Sequence, residues 1–144
     1  MKSVPKKPFY ELIDHTADMG IHVFGGNAED LFQNAAMALM DQLVETVGLL
    51  AREERQITIQ GNDWPDLMVN WLREILYLCV GEELFAQSIQ IESIAETCLT
   101  AHFWIDPFSA DRHTLLSEIK AVTYHQVQVF ETGNRWEAKI IFDV

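Results

Sequence analysis

Residues 63–81 read DWPDLMVNWLREILYLCVG, and this stretch decides the fold because it predicts the strongest helix in the chain. Asp63 and Pro65 are typical of a helix start, and Gly81 lies where a C-terminal cap is expected. The apolar residues between them recur at helical spacing, which predicts one buried face. This stripe consists of Leu67, Met68, Trp71, Leu72, Ile75, Leu76 and Cys79.

A second amphipathic helix is predicted earlier in the chain. Asn27, followed three residues later by Asp30, resembles an N-cap with an acidic first turn. The helix then has its own apolar stripe, which packs on the core and is not a cofactor site. The stripe consists of Leu31, Phe32, Ala35, Ala36, Leu39, Met40 and Leu43.

Seven short segments around these helices have the apolar or alternating pattern of strands. They are residues 9–13, 20–24, 56–60, 88–94, 97–105, 121–131 and 136–144. Residues 132–135 predict a hairpin link, residues 106–117 form the longest predicted loop, and no internal repeat is evident. Two strand groups separated by helices predict an α+β fold with largely antiparallel sheets and two main amphipathic helices. At 144 residues the chain is expected to form a single compact domain over residues 1–144.

The charge balance restricts the partners. The chain has 22 Asp and Glu residues against 10 Lys and Arg residues, a net charge of −12. This negative field repels phosphate backbones, so direct non-specific binding of nucleic acid is disfavoured. A basic protein partner or a divalent cation is compatible with the field. Solubility alone explains the acidity equally well.

The cysteines and the hydropathy pattern indicate the compartment. Cys79 and Cys98 lack the spacing of a metal-binding or redox pair, which predicts two reduced thiols. No stretch has the length and apolar character of a signal-peptide core or a membrane span. We therefore expect a cytoplasmic protein that does not engage a membrane.

The segment between the first two predicted strands has the highest density of candidate site residues. Residues 14–20 read DHTADMG, so Asp14, His15 and Asp18 offer two carboxylates and an imidazole within one short segment. Such donors suggest a site. Asp14 and Thr16 also have a structural explanation as turn or capping residues.

The last predicted strand supplies two further candidate ligands. Asp143 falls on its polar face together with Glu137 and Lys139. The carboxylate of Asp143 and the terminal carboxylate of Val144 could both approach a cation from the strand end. On this strand alone, a solvated acid at a chain terminus is the simpler interpretation.

Three separated blocks resemble the archease family. They are residues 14–22 (DHTADMGIH), residues 118–125 (EIKAVTYH) and residues 140–144 (IIFDV), in the order expected for the family. The resemblance also takes in both predicted helices and covers essentially the whole chain.

This resemblance implies an accessory protein and not a self-sufficient enzyme. Archeases act on the RtcB-type GTP-dependent RNA ligase in tRNA splicing and RNA repair, where they promote ligase guanylylation and multiple turnover. The implied partner is therefore the ligase, and tRNA is reached only indirectly. By motif position, Asp18 and Asp143 correspond to essential acids and Lys120 to an essential lysine, while Asp14 and His15 have supporting roles in the implied metal-binding site.

The residue types agree with a cation site. Oxygen-only ligation suits Ca²⁺, Mg²⁺ or Mn²⁺ better than zinc. Lys120 could neutralise remaining negative charge or contact a nucleotide phosphate. No H-x-x-x-H or similar ligand spacing links His15, His113 and His125, so each fits a structural histidine equally well. Glu118 also fits a solvent-facing residue beside Lys120, and the contributions of His113, Glu118 and His125 to the site stay open.

Two other functions fit the same residues. A metal-dependent phosphoester hydrolase would use Asp14, Asp18 and Asp143 as ligands, with His15 or His125 as general base. Against it, the sequence has no nucleophile elbow, phosphate loop or paired-histidine motif. A chaperone-like binding module would use the acidic surface and exposed aromatic residues to hold other proteins.

Overall fold

The computed structural model describes residues 9–14 and 18–144, and of Asp14 the backbone only. Two helices lie between two antiparallel sheets, and each helix contacts strands of both sheets. The predicted α+β fold is thereby confirmed. No helix within the described ranges is long and apolar enough to cross a membrane.

The larger sheet has five strands. They are β1 (Tyr10–Asp14), β2 (Asp18–Gly25), β6 (Ala121–Val122), β7 (Gln128–Thr132) and β8 (Arg135–Asp143). The order is β1-β2-β8-β6, and β7 also pairs with β8. The last strand of the chain is therefore central in the sheet.

The smaller sheet and the helices complete the fold. The sheet has the order β3-β5-β4, where the strands are β3 (Glu53–Gln60), β4 (Leu84–Ala95) and β5 (Cys98–Pro107). The helices are α1 (Ala28–Leu43) and α2 (Trp64–Leu76), with a short 3₁₀ helix at Thr46–Gly48 and one turn of π-helix at Tyr77–Gly81.

Both predicted apolar stripes are buried. Every residue of the two stripes lies in the core between the sheets. Trp71 joins the helices, because its indole N–H donates a hydrogen bond to the carbonyl of Phe32 at 2.8 Å while its ring packs edge-on against Phe103. The indole is therefore fully buried without an unsatisfied donor.

The two strand-to-helix corners, β2–α1 and β3–α2, are built alike. In each, an N-cap side chain, Asn27 or Asp63, accepts a hydrogen bond from the backbone N–H three residues later. An aspartate in the first turn accepts a backbone N–H from the residue before the cap. The side chain of Asn34 donates to the carbonyl of Phe24, the penultimate residue of β2. The side chain of Asn70 donates to the carbonyl of Gln60, the last residue of β3. The two corners thus repeat one local motif, although no internal repeat is evident in the sequence.

A glycine makes each corner tight. A Cβ on Gly25 would lie 2.5 Å from the backbone N of Leu31, and a Cβ on Gly61 would lie 2.7 Å from the N and Cα of Leu67. Real Cβ atoms do not approach a backbone this closely. The strand can therefore turn directly into the helix only where no side chain is present.

Several predicted boundaries are wrong. The strand predicted over residues 121–131 is two strands, because a turn intervenes in which Gln126 adopts a left-handed φ of 54°. Asp18 begins β2 and does not belong to the preceding connection. Gly81 is not a left-handed cap, since the positive φ of 57° belongs to Glu83.

Replacing Gly61 by alanine tests the tight corner. We expect Gly61→Ala to lower the free energy of unfolding by about 2 kcal/mol or more, because the helix backbone beside the new methyl cannot move away. Urea unfolding measures this change. Gly133→Ala is the matched control, since nothing lies within 4 Å of its added Cβ; equal stability of the two variants would contradict the steric account.

Candidate functional site

Two acids face each other at one end of the five-stranded sheet. Asp18 is the first residue of β2 and Asp143 the last of β8, and the two are directly paired in the antiparallel ladder. Directly paired residues project to the same face, with Cβ atoms about 4.5–5.5 Å apart. Asp18 is half-buried and Asp143 is exposed. The register therefore brings two carboxylates of distant sequence position to one end of the sheet.

Lys120 reaches the same end of the sheet from a different part of the chain. Its backbone N–H donates to the carbonyl of Asp143 at 2.7 Å, and the next residue, Ala121, pairs with Asp143 in the ladder. The Lys120 side chain is exposed and forms no ion pair within the described part of the chain. Val144 follows at the strand end and is 43% exposed.

The remaining predicted ligands are only partly described. The backbone of Asp14 pairs with Met19, immediately beside Asp18. The side chain of Asp14 and the whole of His15 lie outside the described residues. Among the residues that are described, no group of three or more His, Cys, Asp or Glu side chains is placed to hold a metal ion. Among the described candidates, Asp18 and Asp143 are the two acids that the ladder brings together at this sheet end.

The ladder pair two residues away from the acids is closely packed. Gly20 pairs with Ile141 in the ladder, and a Cβ on Gly20 would lie 2.8 Å from Cδ1 of Ile141 and 3.2 Å from Cβ of Ile13. The absent side chain leaves room for Ile141, which is buried although it lies on the otherwise polar face of β8. This contact supports the strand end that carries Asp143.

A cluster of hydrogen bonds around the buried Asp106 carboxylate holds the loop that leads to Lys120. The Asp106 carboxylate is fully buried and accepts hydrogen bonds from the backbone N–H of Leu50 and from the side chains of Arg112 and His113, all at 2.9 Å. The bidentate Arg112 guanidinium holds the pKa of Asp106 well below its ordinary value of 3.8. Because Nδ1 of His113 accepts the backbone N–H of Ser109, we assign the ring proton to Nε2.

The loop next docks on the end of α1. The backbone N–H groups of Leu116 and Ser117 donate to the carbonyls of Leu43 and Gln42, both at 2.9 Å. These carbonyls belong to the last turn of α1 and have no partner within the helix. Ile119 is then buried, which places Lys120 at the sheet end.

The other candidate residues have different surroundings. His113 has a structural role, because it is buried in the Asp106 cluster. His125 is exposed, and its backbone N–H donates a hydrogen bond to the hydroxyl of Thr123. Glu118 is exposed next to Ile119. Sequence reasoning did not group Asp106 with Arg112 and His113, although the three polar residues lie close together in the predicted loop.

This architecture is that of a two-sheet α+β protein whose candidate site lies at a strand end. The chain matches the model of the archease protein family (MTH1598/TM1083) over residues 10–144. It is 32% identical to protein archease of Methanosarcina mazei, with 100% of each chain covered, and 31% identical to protein archease of Methanosarcina barkeri, with 94% of this chain and 95% of that protein covered. The chain belongs to the archease family, as the three sequence blocks indicated.

Two solved structures have the same fold. The solution structure of protein 1598 of Methanobacterium thermoautotrophicum is 29% identical and superposes with a TM-score of 0.80, covering 94% of this chain and 99% of that chain. The crystal structure of a Thermotoga maritima protein described as an archease and possible chaperone is 22% identical, with a TM-score of 0.65 and 99% and 100% coverage. The α+β fold with two helices is shared with both.

Removing the Asp106 charge tests the buried cluster. We expect Asp106→Asn to lower the free energy of unfolding at pH 7 by about 2 kcal/mol, because both buried oxygens of Asp106 accept N–H groups and the amide NH₂ of asparagine cannot accept. Since the folded-state pKa is depressed, the contribution of Asp106 is complete above about pH 5 and is lost progressively as the pH falls through the unfolded-state pKa of 3.8 toward the folded-state pKa. The stability difference between the native protein and the variant should therefore shrink from pH 5 to pH 3 in urea unfolding. Asp111→Asn, an exposed change in the same loop, is the control; a pH-independent difference would contradict the assignment.

Proposed function

We propose that this archease-family protein is an accessory protein of an RtcB-type GTP-dependent RNA ligase in tRNA splicing and RNA repair, where it promotes ligase guanylylation and multiple turnover. The observation that carries the proposal is the convergence of Asp18, Asp143 and Lys120 at one sheet end. These are the three positions to which the family resemblance assigns essential roles. Both cysteines are free thiols, in keeping with action in the cytoplasm.

The paired acids suit a divalent cation that is shared with a second molecule. Asp18 and Asp143 would hold the ion from the protein side, and Asp14 and His15 are the neighbouring candidates for further ligation. Mg²⁺ and Mn²⁺ are commonly bound by one or two carboxylates, with the remaining positions taken by water and by phosphate oxygens of a substrate. When bound, the ion would supply positive charge to nucleotide phosphates. Calcium is the third candidate, because it accepts the same oxygen ligands.

Lys120 supports a role close to a nucleotide. Its ammonium group is exposed, and its backbone is held against β8 by the 2.7 Å hydrogen bond to Asp143. An ammonium group is a compact point-charge partner for phosphate. With a net charge of −12 the protein as a whole repels RNA, so we infer that Lys120 contacts a phosphate that the ligase already holds, and that tRNA is reached only through the ligase.

A ligation assay tests this function. We expect the protein to increase multiple-turnover RNA joining and guanylylation by the cognate ligase, and Asp18→Asn, Asp143→Asn and Lys120→Ala each to reduce that stimulation about tenfold or more. The readouts are ligated RNA per ligase molecule and the guanylylated fraction of the ligase. All three variants should unfold at nearly the native temperature, because none of these side chains belongs to the apolar core.

Two control variants test whether stimulation depends on these three positions or on any exposed charge. Glu11→Gln removes an exposed acid on the same sheet, and Arg52→Ala removes an exposed cation elsewhere, so both should retain stimulation. An inactive native protein beside a competent ligase would reject the proposal. Phosphoester turnover by the protein alone would indicate the hydrolase, and ligase binding without stimulation would indicate a chaperone-like module.

Metal binding provides a second readout that is independent of ligation. We expect Mn²⁺ to bind the isolated protein at one site in calorimetric titration, and Asp143→Asn to weaken the binding about tenfold, because one of two paired ligands is lost. Glu11→Gln should bind as the native protein does. Unchanged binding by Asp18→Asn and Asp143→Asn would place the ion elsewhere.

A further inference from the structure

An apolar groove lies beside the loop that carries Lys120. Its floor is formed by buried side chains of Leu43, Cys79, Phe85 and Ile119, and its volume is about 350 Å³. Burial raises the pKa of the Cys79 thiol to about 12, so this sulfur behaves as part of the apolar floor and not as a nucleophile. The groove is therefore a recess for an apolar side chain.

The rim of the groove exposes aliphatic surface. Val80, Leu115 and Leu116 line it and are 60%, 58% and 52% exposed. Single exposed aliphatic residues are normal, but three around one apolar recess form a contiguous patch typical of an interaction site.

The charges at the groove have one sign. Glu83 and Glu118 line it and are exposed, and its described lining contains no Lys, Arg or His. The apolar recess is thus bordered by acids on a protein whose net charge is −12. This pattern is complementary to an apolar side chain flanked by cations, and it disfavours a polyanion.

Glu83 at the groove rim has an unusual backbone conformation. Glu83 has φ 57°, and its carbonyl accepts the backbone N–H of Phe108 at 2.8 Å. A residue with a Cβ is strained in this left-handed conformation, whereas glycine adopts it freely. Stability alone would therefore favour glycine at position 83, so a change to glycine removes the rim carboxylate without a loss of backbone fit.

We propose that this groove is a docking site for a protein segment that presents an aliphatic or aromatic anchor next to Lys or Arg, carried by the ligase of the proposed function, on which this inference rests. The anchor enters the recess against Phe85 and Ile119, and the flanking cation meets Glu83 or Glu118. Residues 115–119 line the groove and run directly into Lys120. Docking here would therefore hold the ligase beside the paired acids.

The test measures two quantities for each variant. One is the concentration of this protein that gives half-maximal stimulation of the ligase, and the other is the maximal stimulation reached. We expect Leu116→Glu to raise the Kd for the cognate ligase about tenfold or more, and to raise the half-maximal concentration equally, with an unchanged maximal ligation rate. Leu116→Met keeps the apolar volume and should bind as the native protein does. Lys120→Ala should show the opposite pattern, a reduced maximum at any concentration.

A second variant pair tests the acidic rim. Glu83→Gly should keep or raise the thermal unfolding temperature, because glycine relieves the left-handed strain, yet weaken ligase binding about threefold to tenfold. A purely structural role of Glu83 cannot lower affinity while stability holds. Glu96→Lys, an exposed change just beyond the opposite end of β4, is the charge control and should leave the affinity unchanged.

The outcomes distinguish the two proposals. If the native protein stimulates the ligase and both groove variants match it in affinity, the docking site is wrong and the accessory function stands. If the native protein neither binds nor stimulates a competent ligase, the accessory function falls and the docking inference falls with it. If Leu116→Glu instead converts a dimer to a monomer in sedimentation velocity, the groove binds a second copy of this chain, which overturns the proposed partner.

Discussion

The pairing of β2 with β8 is the contact on which the rest of the structure depends. Its register runs from Asp18 opposite Asp143 to Gly25 opposite Trp136, and it joins segments near the two ends of the described chain. The same register places Ile21 opposite Ile140 in the core and sets the acids on the other face. A shift by one residue would expose the core residues and separate the acids. Packing and the candidate site are therefore fixed by one set of hydrogen bonds.

Local signals in the sequence were sufficient for the helices. Asn27 and Asp63 cap the predicted helices, and both apolar stripes are buried as expected. Such features depend on neighbouring residues along one helix, which a sequence displays directly. The alternation in the last strand likewise separated Ile140 from Asp143 correctly.

Features that depend on distant contacts were harder to predict. The Asp106 cluster joins β5, the loop after it and the backbone of Leu50, and no spacing rule links these positions. The break between β6 and β7 depends on the left-handed Gln126, a residue type with no turn signature. Sequence alone gave the candidate acids only as separate residues. Their convergence required the strand register, and the importance of Lys120 was indicated only by the family resemblance.

The duplicated corners have a consequence for how the chain folds. Their cap, glycine and asparagine contacts span at most ten residues, so each can form early, with little loop-closure entropy to overcome. One corner belongs to each sheet, so contacts of short sequence separation lie in both halves of the fold. The β2–β8 ladder spans most of the sequence and would close late, after both corners exist. The paired acids exist only where this ladder has formed, so a molecule in which β8 has detached from β2 has intact helix corners and no paired acids.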